Sequence, residues 1–238
     1  MMKNKILFSL LALWAFTSCT RMSDFQLDPG YDYYPLDIGH TAIYEVDSVI
    51  YSPLFAGGKD TFRWEVKVVI ADTFRDAEGR TAHLAEEYRR RKGASFWEGP
   101  EITMLLRTPR HIEYQANNIR LIPFVFPPVK GASWDGAAFV PDNDTFAFYR
   151  NWNNVFLAVD EPYELGTNAF AKTAHILESD DENLLEYRYS EARYARDIGL
   201  IERIQFNLKF VGSVIPNEPW EEKATNGYIM HQRLIRYE

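Results

Sequence analysis

The side chains best suited to chemistry are scattered along this sequence, and their spacing fits few catalytic arrangements. A nucleophilic hydrolase needs an activated Ser or Cys on a constrained turn with a base in reach. Gly93-Ala94-Ser95 lacks the Gly-x-Ser-x-Gly pattern of such a turn, and the single cysteine, Cys19, closes an apolar leader. Gly57-Gly58-Lys59-Asp60 holds part of a phosphate loop, but the second spaced glycine and the Ser or Thr after Lys are missing. His40, His83, His111, His175 and His231 contain no i, i+2 or i, i+4 pair, so no two imidazoles share a strand face or helix face as metal ligands. Asp142-Asn143-Asp144 and Asp180-Asp181-Glu182 read as polar turns, because the Gly and distal Glu of a calcium loop are absent. Glu86 and Glu87 fall on opposite faces of any strand. Glu98 and Glu101, on either side of Gly99-Pro100, are the carboxylates a turn can bring together for glycoside chemistry. No catalytic residue, metal site or cofactor follows, and the expectation is a protein that is not an enzyme.

Aromatic side chains are the other resource, at 15% of the chain. Trp64 lies in an alternating run and belongs to a core face. Trp97 and Trp152, beside Gly and Asn residues in segments that read as loops, are the candidates for exposed stacking platforms of the kind that bind sugars.

The elements that must position these residues are strands. Phe62, Trp64, Val66, Val68 and Ile70 alternate with Arg63, Glu65 and Lys67, the period of a half-buried strand. Similar runs predict strands at Thr41–Tyr51, Thr81–Arg91, Ile102–Arg107, Arg110–Gln115, Ile119–Val125, Phe170–Leu177, Leu184–Tyr189, Ile201–Val211 and Gly227–Tyr237. Turn signals at hairpin spacing separate them, among them Gly57-Gly58, Asn117-Asn118 and Pro216-Asn217. One or two short helices are expected, with Trp152–Leu157 and Glu191–Arg196 the best candidates. The fold class is therefore all-β: an antiparallel meander forming either a sandwich or a strongly curved half-barrel, with the sandwich preferred because most β domains pack their interiors solid. Tyr34-Pro35-Leu36-Asp37-Ile38-Gly39 is echoed by Phe126-Pro127-Pro128-Val129-Lys130-Gly131, with aromatic, Pro and Gly in register. One turn chemistry used twice is the preferred explanation; a duplicated half-domain divided near Ala138–Asp144 is the other.

The first eighteen residues have the three parts of an export signal: Lys3 and Lys5, an apolar run from Ile6 to Phe16, and small residues before Cys19. At eleven residues that run is shorter than the ~20 a membrane-crossing helix needs. Phe16-Thr17-Ser18-Cys19 resembles a bacterial lipobox, with Phe16 in place of the usual Leu, and the resemblance implies cleavage before Cys19 and lipid on its thiol. By analogy with the sorting habit of other Gram-negative lipoproteins, Thr20 points to the outer membrane. The resulting division is a signal peptide at 1–18, a lipidated linker at 19–33 and one β-rich domain at 34–238. The signal takes two of the 26 basic residues and none of the 34 acidic ones, leaving 24 against 34 and a formal charge of −10. So acidic a chain does not suit nucleic acid. The basic cluster Arg89-Arg90-Arg91-Lys92 reads as a solvated strand end.

Three segments, Tyr34–Gly39 with Tyr44, Gly166-Thr167 leading into Phe170–Ile176, and Tyr194-Ala195 with Ile198–Ile201, resemble uncharacterised β-rich lipoproteins of Bacteroidetes-type bacteria. The pattern departs at Ala42, where a Trp is common, and at Asp197, where a Gly is. The resemblance implies an envelope address and carries no catalytic role. Asp47-Ser48-Val49 likewise resembles the O-glycosylation signal of exported proteins in such bacteria, with Ser48 as acceptor. The functional expectation is a membrane-anchored, non-enzymatic binding or scaffold domain, whose partners are the membrane, through its lipid, and an envelope protein or glycan. The alternatives are a carrier of an apolar ligand in a half-barrel and a glycan-binding or glycan-processing accessory protein.

Overall fold

The computed structural model describes residues 28–212 and 218–238, so the signal at 1–18, Cys19, the start of the linker and the turn at Pro216-Asn217 lie outside the described residues. Twelve strands follow in order: β1 (Thr41–Tyr51), β2 (Lys59–Arg75), β3 (Thr81–Arg91), β4 (Glu98–Arg107), β5 (His111–Ala116), β6 (Ile119–Val125), β7 (Ser133–Asp135), β8 (Asn153–Leu165), β9 (Asn168–Glu182), β10 (Glu186–Ala195), β11 (Gly199–Lys209) and β12 (Asn226–Tyr237). One four-residue helix, α1 (Trp220–Lys223), and 3-10 turns at Tyr31–Tyr33 and Asp144–Tyr149 complete the described elements.

All twelve strands belong to one antiparallel sheet in the order β6-β5-β4-β3-β2-β1-β12-β11-β10-β9-β8-β7. The sheet curls until its edges nearly meet. At the seam Ile122 N donates to Gly136 O at 2.8 Å, and the Trp134 indole donates to Ile122 O at 2.7 Å. A single sheet curled on itself replaces the preferred sandwich. The physical reason is the β1–β12 ladder, which joins the first and last strands into the centre of one sheet and leaves no second sheet to stack.

The two candidate helix segments lie almost wholly in strands, β8 and β10. Glu191–Arg196 is rich in helix formers, yet Ser190, Ala192 and Tyr194 are buried on alternate positions of β10, so packing overrides propensity. Trp152–Leu157 leads into β8, whose alternation is broken by three register shifts against β9. The echoed turns prove equivalent in detail. Gly39 (φ +93°) donates to Ile70 O and Gly131 (φ +83°) to Phe156 O, both at 2.8 Å. Ile70 N and Phe156 N return bonds to His40 O and Ala132 O, at 3.0 and 3.1 Å. Each turn opens a six-stranded meander, β1–β6 or β7–β12, so the chain consists of two topologically equivalent halves. The division falls at Phe126 rather than at Ala138–Asp144.

Eight strands close into a barrel that their own side chains fill, whereas sixteen leave a channel. Twelve fall between, so wall residues alone do not fill this interior. One end is filled by residues 30–36: Tyr33 is wholly buried and stacks at 5.8 Å on Phe124, which meets Phe156 and Tyr194 at 5.2 Å each. Residues 28–33, read from sequence as the end of a linker, are therefore part of the folded domain. Arg196 fastens them by bonding Asp28, Asp32 and Asp160 at 2.8, 2.9 and 2.9 Å. Outside the barrel, Trp220 of α1 covers Tyr187 and Leu208 and donates its indole N–H to Glu182 at 2.7 Å.

Candidate ligand-binding cavity

Towards the other end the interior is hollow. A cavity of about 300 Å³ lies between strands of both halves, at the lower bound of the roughly 300–1,000 Å³ typical of small-molecule sites. Inward positions of β2, β4 and β6 supply its apolar wall through Val68, Leu105 and Leu121. The opposite wall is polar, with Glu178 from β9, Arg203 and Gln205 from β11 and Gln232 from β12. Tyr34 enters from the filled end.

A strap, residues 137–152, closes part of the mouth. Asn143 caps its 3-10 turn by accepting from Thr145 N and Phe146 N. The strap is tied down by Arg188, which donates to Ala147 O at 3.0 Å and to Asp181 at 2.5 Å. Phe148 meets Tyr228 of β12 at 6.1 Å, and Tyr149 packs edge-on against Trp152 at 4.9 Å. The strap thus places Tyr149 and Trp152 in the cavity wall.

Glu178 and Arg203 set the electrostatics. Glu178 is completely buried, accepts from Ser190 Oγ at 2.6 Å and pairs with Arg203 Nη2 at 3.0 Å. Burial works against the Arg203 charge, and the Glu178 carboxylate followed by the tyrosine hydroxyls more than offsets it, so the pKa stands above its ordinary value. Arg203 and Tyr34 are enclosed by protein yet only partly covered, so their open surface faces the cavity. Burial likewise pushes the Tyr34 and Tyr149 hydroxyls up, and neither hydrogen-bonds a described protein group. The Trp152 indole N–H and Arg203 Nε are buried without a partner. An orphaned buried donor costs about 1–3 kcal/mol, so the wall of this cavity is polar beyond what the protein itself satisfies.

The sequence candidates fall in separate places. Cys19 lies outside the described residues. Trp152 is only 6% exposed, buried by Tyr149 and Phe148 rather than displayed on a loop. Trp97 is half-buried, with the Arg90 guanidinium 4.3 Å and Lys67 Nζ 5.3 Å from its ring centre. The two tryptophans do not form one surface. Ser48 sits half-buried in β1, paired with Phe62 and Met230 and sharing the inward parity of Tyr44 and Val46. Glu101 pairs with Glu87 across the β3–β4 ladder, shares the inward parity of Thr103 and Leu105, and meets Arg89 at 3.3 Å, while Glu98 is exposed. The residues that sequence reasoning missed, Tyr34, Tyr149, Glu178 and Arg203, come from four distant segments. A charged pair at inward positions of β9 and β11 was the available signal, and it required the strand register to be read.

No protein-family model matches the chain, and no curated protein matches it. Among solved structures, a Bacteroides fragilis protein described as exported, with a YmcC-like fold, overlaps 86% of this chain and 97% of its own at 10% identity and a TM-score of 0.41. A Parabacteroides distasonis protein described as a lipoprotein overlaps 87% and 98% at 9% identity and 0.38. A Vibrio parahaemolyticus domain described as an outer membrane lipoprotein-sorting protein overlaps 84% and 85% at 10% identity and 0.20.

Proposed function

We propose that this chain is an exported lipoprotein, anchored to the outer membrane through Cys19, whose barrel binds a small ligand in its interior without acting on it chemically. The anchor rests on the leader and its solitary cysteine. Two or more acyl chains, each contributing about 0.8 kcal/mol per buried CH₂, hold a protein on a bilayer almost permanently. The binding role rests on one observation: the cavity is lined by Tyr34, Tyr149 and Arg203, which keep hydrogen-bonding capacity that no described residue uses. A barrel serving only as a scaffold gains nothing from such a wall, because apolar packing is more stable than unpaired buried donors. The Arg196 clasp supports the reading by joining the tether to the filled end, away from the strap.

The test has two parts. Cys19→Ser should abolish labelling by a fatty-acid analogue and release the protein from washed membranes; retained label sinks the anchor. Native mass spectrometry of the protein extracted from its own envelope should show a bound compound of near-unit occupancy, lost on denaturation. Bare protein that also binds no added saccharide, fatty acid or phosphate overturns the binding role and leaves the outer surface as the working part.

A further inference from the structure

Resting on that binding role, we infer that the cavity is built for a neutral, polyhydroxylated ligand of carbohydrate type, hydrogen-bonded by Tyr34, Tyr149 and the free edge of Arg203. Charge matching comes first. Arg203 is neutralised within the wall by Glu178, and Glu87, which also lines the cavity, is met by Arg89 at 2.8 Å. Among the described residues the carboxylates and the guanidinium of the lining are thus paired, and a ligand bringing a further charge would find no free counterion where the wall shuts out water, which is costly.

Hydrogen-bond capacity comes second. Arg203 commits Nη2 to Glu178 and to the Tyr194 hydroxyl at 3.4 Å, while Nη1 has no protein partner among the described residues. Tyr34 and Tyr149 hydroxyls each donate one bond and accept others, and Gln232 brings both an amide donor and a carbonyl acceptor. Sugar hydroxyls have the same dual character and satisfy such a wall from within. An acyl chain would strip the same groups of water and return nothing, so the apolar carrier reading is the weaker one. The rings of Tyr149 and Trp152 and the side chains of Val68 and Leu105 offer apolar surface to the C–H faces of a sugar. At about 300 Å³ the space equals that of about ten liquid waters, which suits a ligand of one or two rings.

The experiment uses the intact protein, extracted from the envelope in a zwitterionic detergent so that no sugar head group competes. The compound released on denaturation is identified by mass and by hydrolysis to its components. Calorimetry then compares the wild type with the Tyr34→Phe, Tyr149→Phe double variant, using the released compound or, where none is released, cellobiose, chitobiose, octanoate and inorganic phosphate as probes. A neutral saccharide or polyol is expected. Each lost hydroxyl should weaken its binding roughly fivefold to tenfold while leaving the melting temperature unchanged, since neither hydroxyl bonds a described residue of the protein. Equal affinity in the double variant overturns the inference. A fatty acid or an anion as the sole ligand overturns the ligand class and leaves the binding role standing. No released compound and no heat with any probe overturns both.

Discussion

Replacing Arg196 tests whether the filled end of the barrel is held by charge. Its guanidinium grips Asp160 with Nε and Nη2 at 2.9 and 3.2 Å, reaches both oxygens of Asp32 with Nη1 at 2.9 Å and lies 4.7 Å from the Tyr33 ring centre. The Arg side chain is 15% exposed, but Asp160 and Asp32 keep 42% and 33% of theirs. Arg196→Met leaves carboxylates that rehydrate, so the loss falls short of the about 3–5 kcal/mol for breaking a buried pair and exceeds the about 1 kcal/mol of an exposed one. With a small cation–π contribution, about 2–3 kcal/mol is expected near neutral pH. The Arg196 bonds hold the Asp160 carboxyl below its ordinary 3.8, and a backbone bond from Gly30, then Arg196, does the same for Asp28. A carboxylate depressed in the folded state stabilises above its unfolded pKa, and that contribution is lost as pH falls through the folded value. Urea unfolding of wild type and variant should therefore show a gap that is steady from about pH 7 to about pH 5 and narrows as pH falls below about 4. A gap below about 0.5 kcal/mol at neutral pH, or one that acid leaves unchanged, refutes the clasp.

Two further perturbations address the sheet. A Cβ on Gly227 (φ +112°) would lie 1.8 Å from Asn207 O, so Gly227→Ala should cost about 3 kcal/mol or more. Gly57 (φ +84°) has nothing within 4 Å, so Gly57→Ala should cost only about 1–2 kcal/mol; equal losses in the two melting curves would mean that β11 and β12 are not in this register. Trp134→Phe removes the indole bond across the seam and should cost about 1 kcal/mol while speeding hydrogen exchange at the Ile122 amide, and unchanged exchange there would mean that the edges do not meet.

Strand-level structure was legible wherever one face of a strand is consistently apolar. The expected bounds of Thr41–Tyr51, Thr81–Arg91 and Ile119–Val125 coincide with β1, β3 and β6. β8 was missed because register shifts near Phe156, Val159 and Glu161 break its period of two, and period is the signal on which a strand is recognised. β7 is three residues long, too short to show any period. Closure was illegible for a different reason: pairing β1 with β12 joins Ala42 to Tyr237 across nearly the whole chain, and nothing local records it. The cavity depends on that closure, so Tyr34, Tyr149 and Arg203 could not be grouped from sequence, whereas Cys19 could be proposed as an anchor because a leader and its cysteine are contiguous.

The equivalence of the two halves explains why the barrel is hollow where it is. In the first half the turn ending at Gly39 runs directly into eleven residues of β1, paired along its length with β2 and almost throughout with β12. In the second half the matching turn ends at Gly131, but the chain leaves the sheet after only Ser133–Asp135. At the second position of each strand stand Ala42 and Trp134. Ala42 needs no side-chain bond, because a full ladder already joins β1 to its neighbours; Trp134 spans the seam with its indole, where a ladder is lacking. The missing length of β7 leaves a gap in the wall, and the sixteen residues of the strap, far more than the seven between β1 and β2, occupy it. Tyr149 and Trp152 reach the cavity from that strap. A complete second copy of β1 would close the barrel and exclude them, so the departure of the second half from the first is what creates the binding wall.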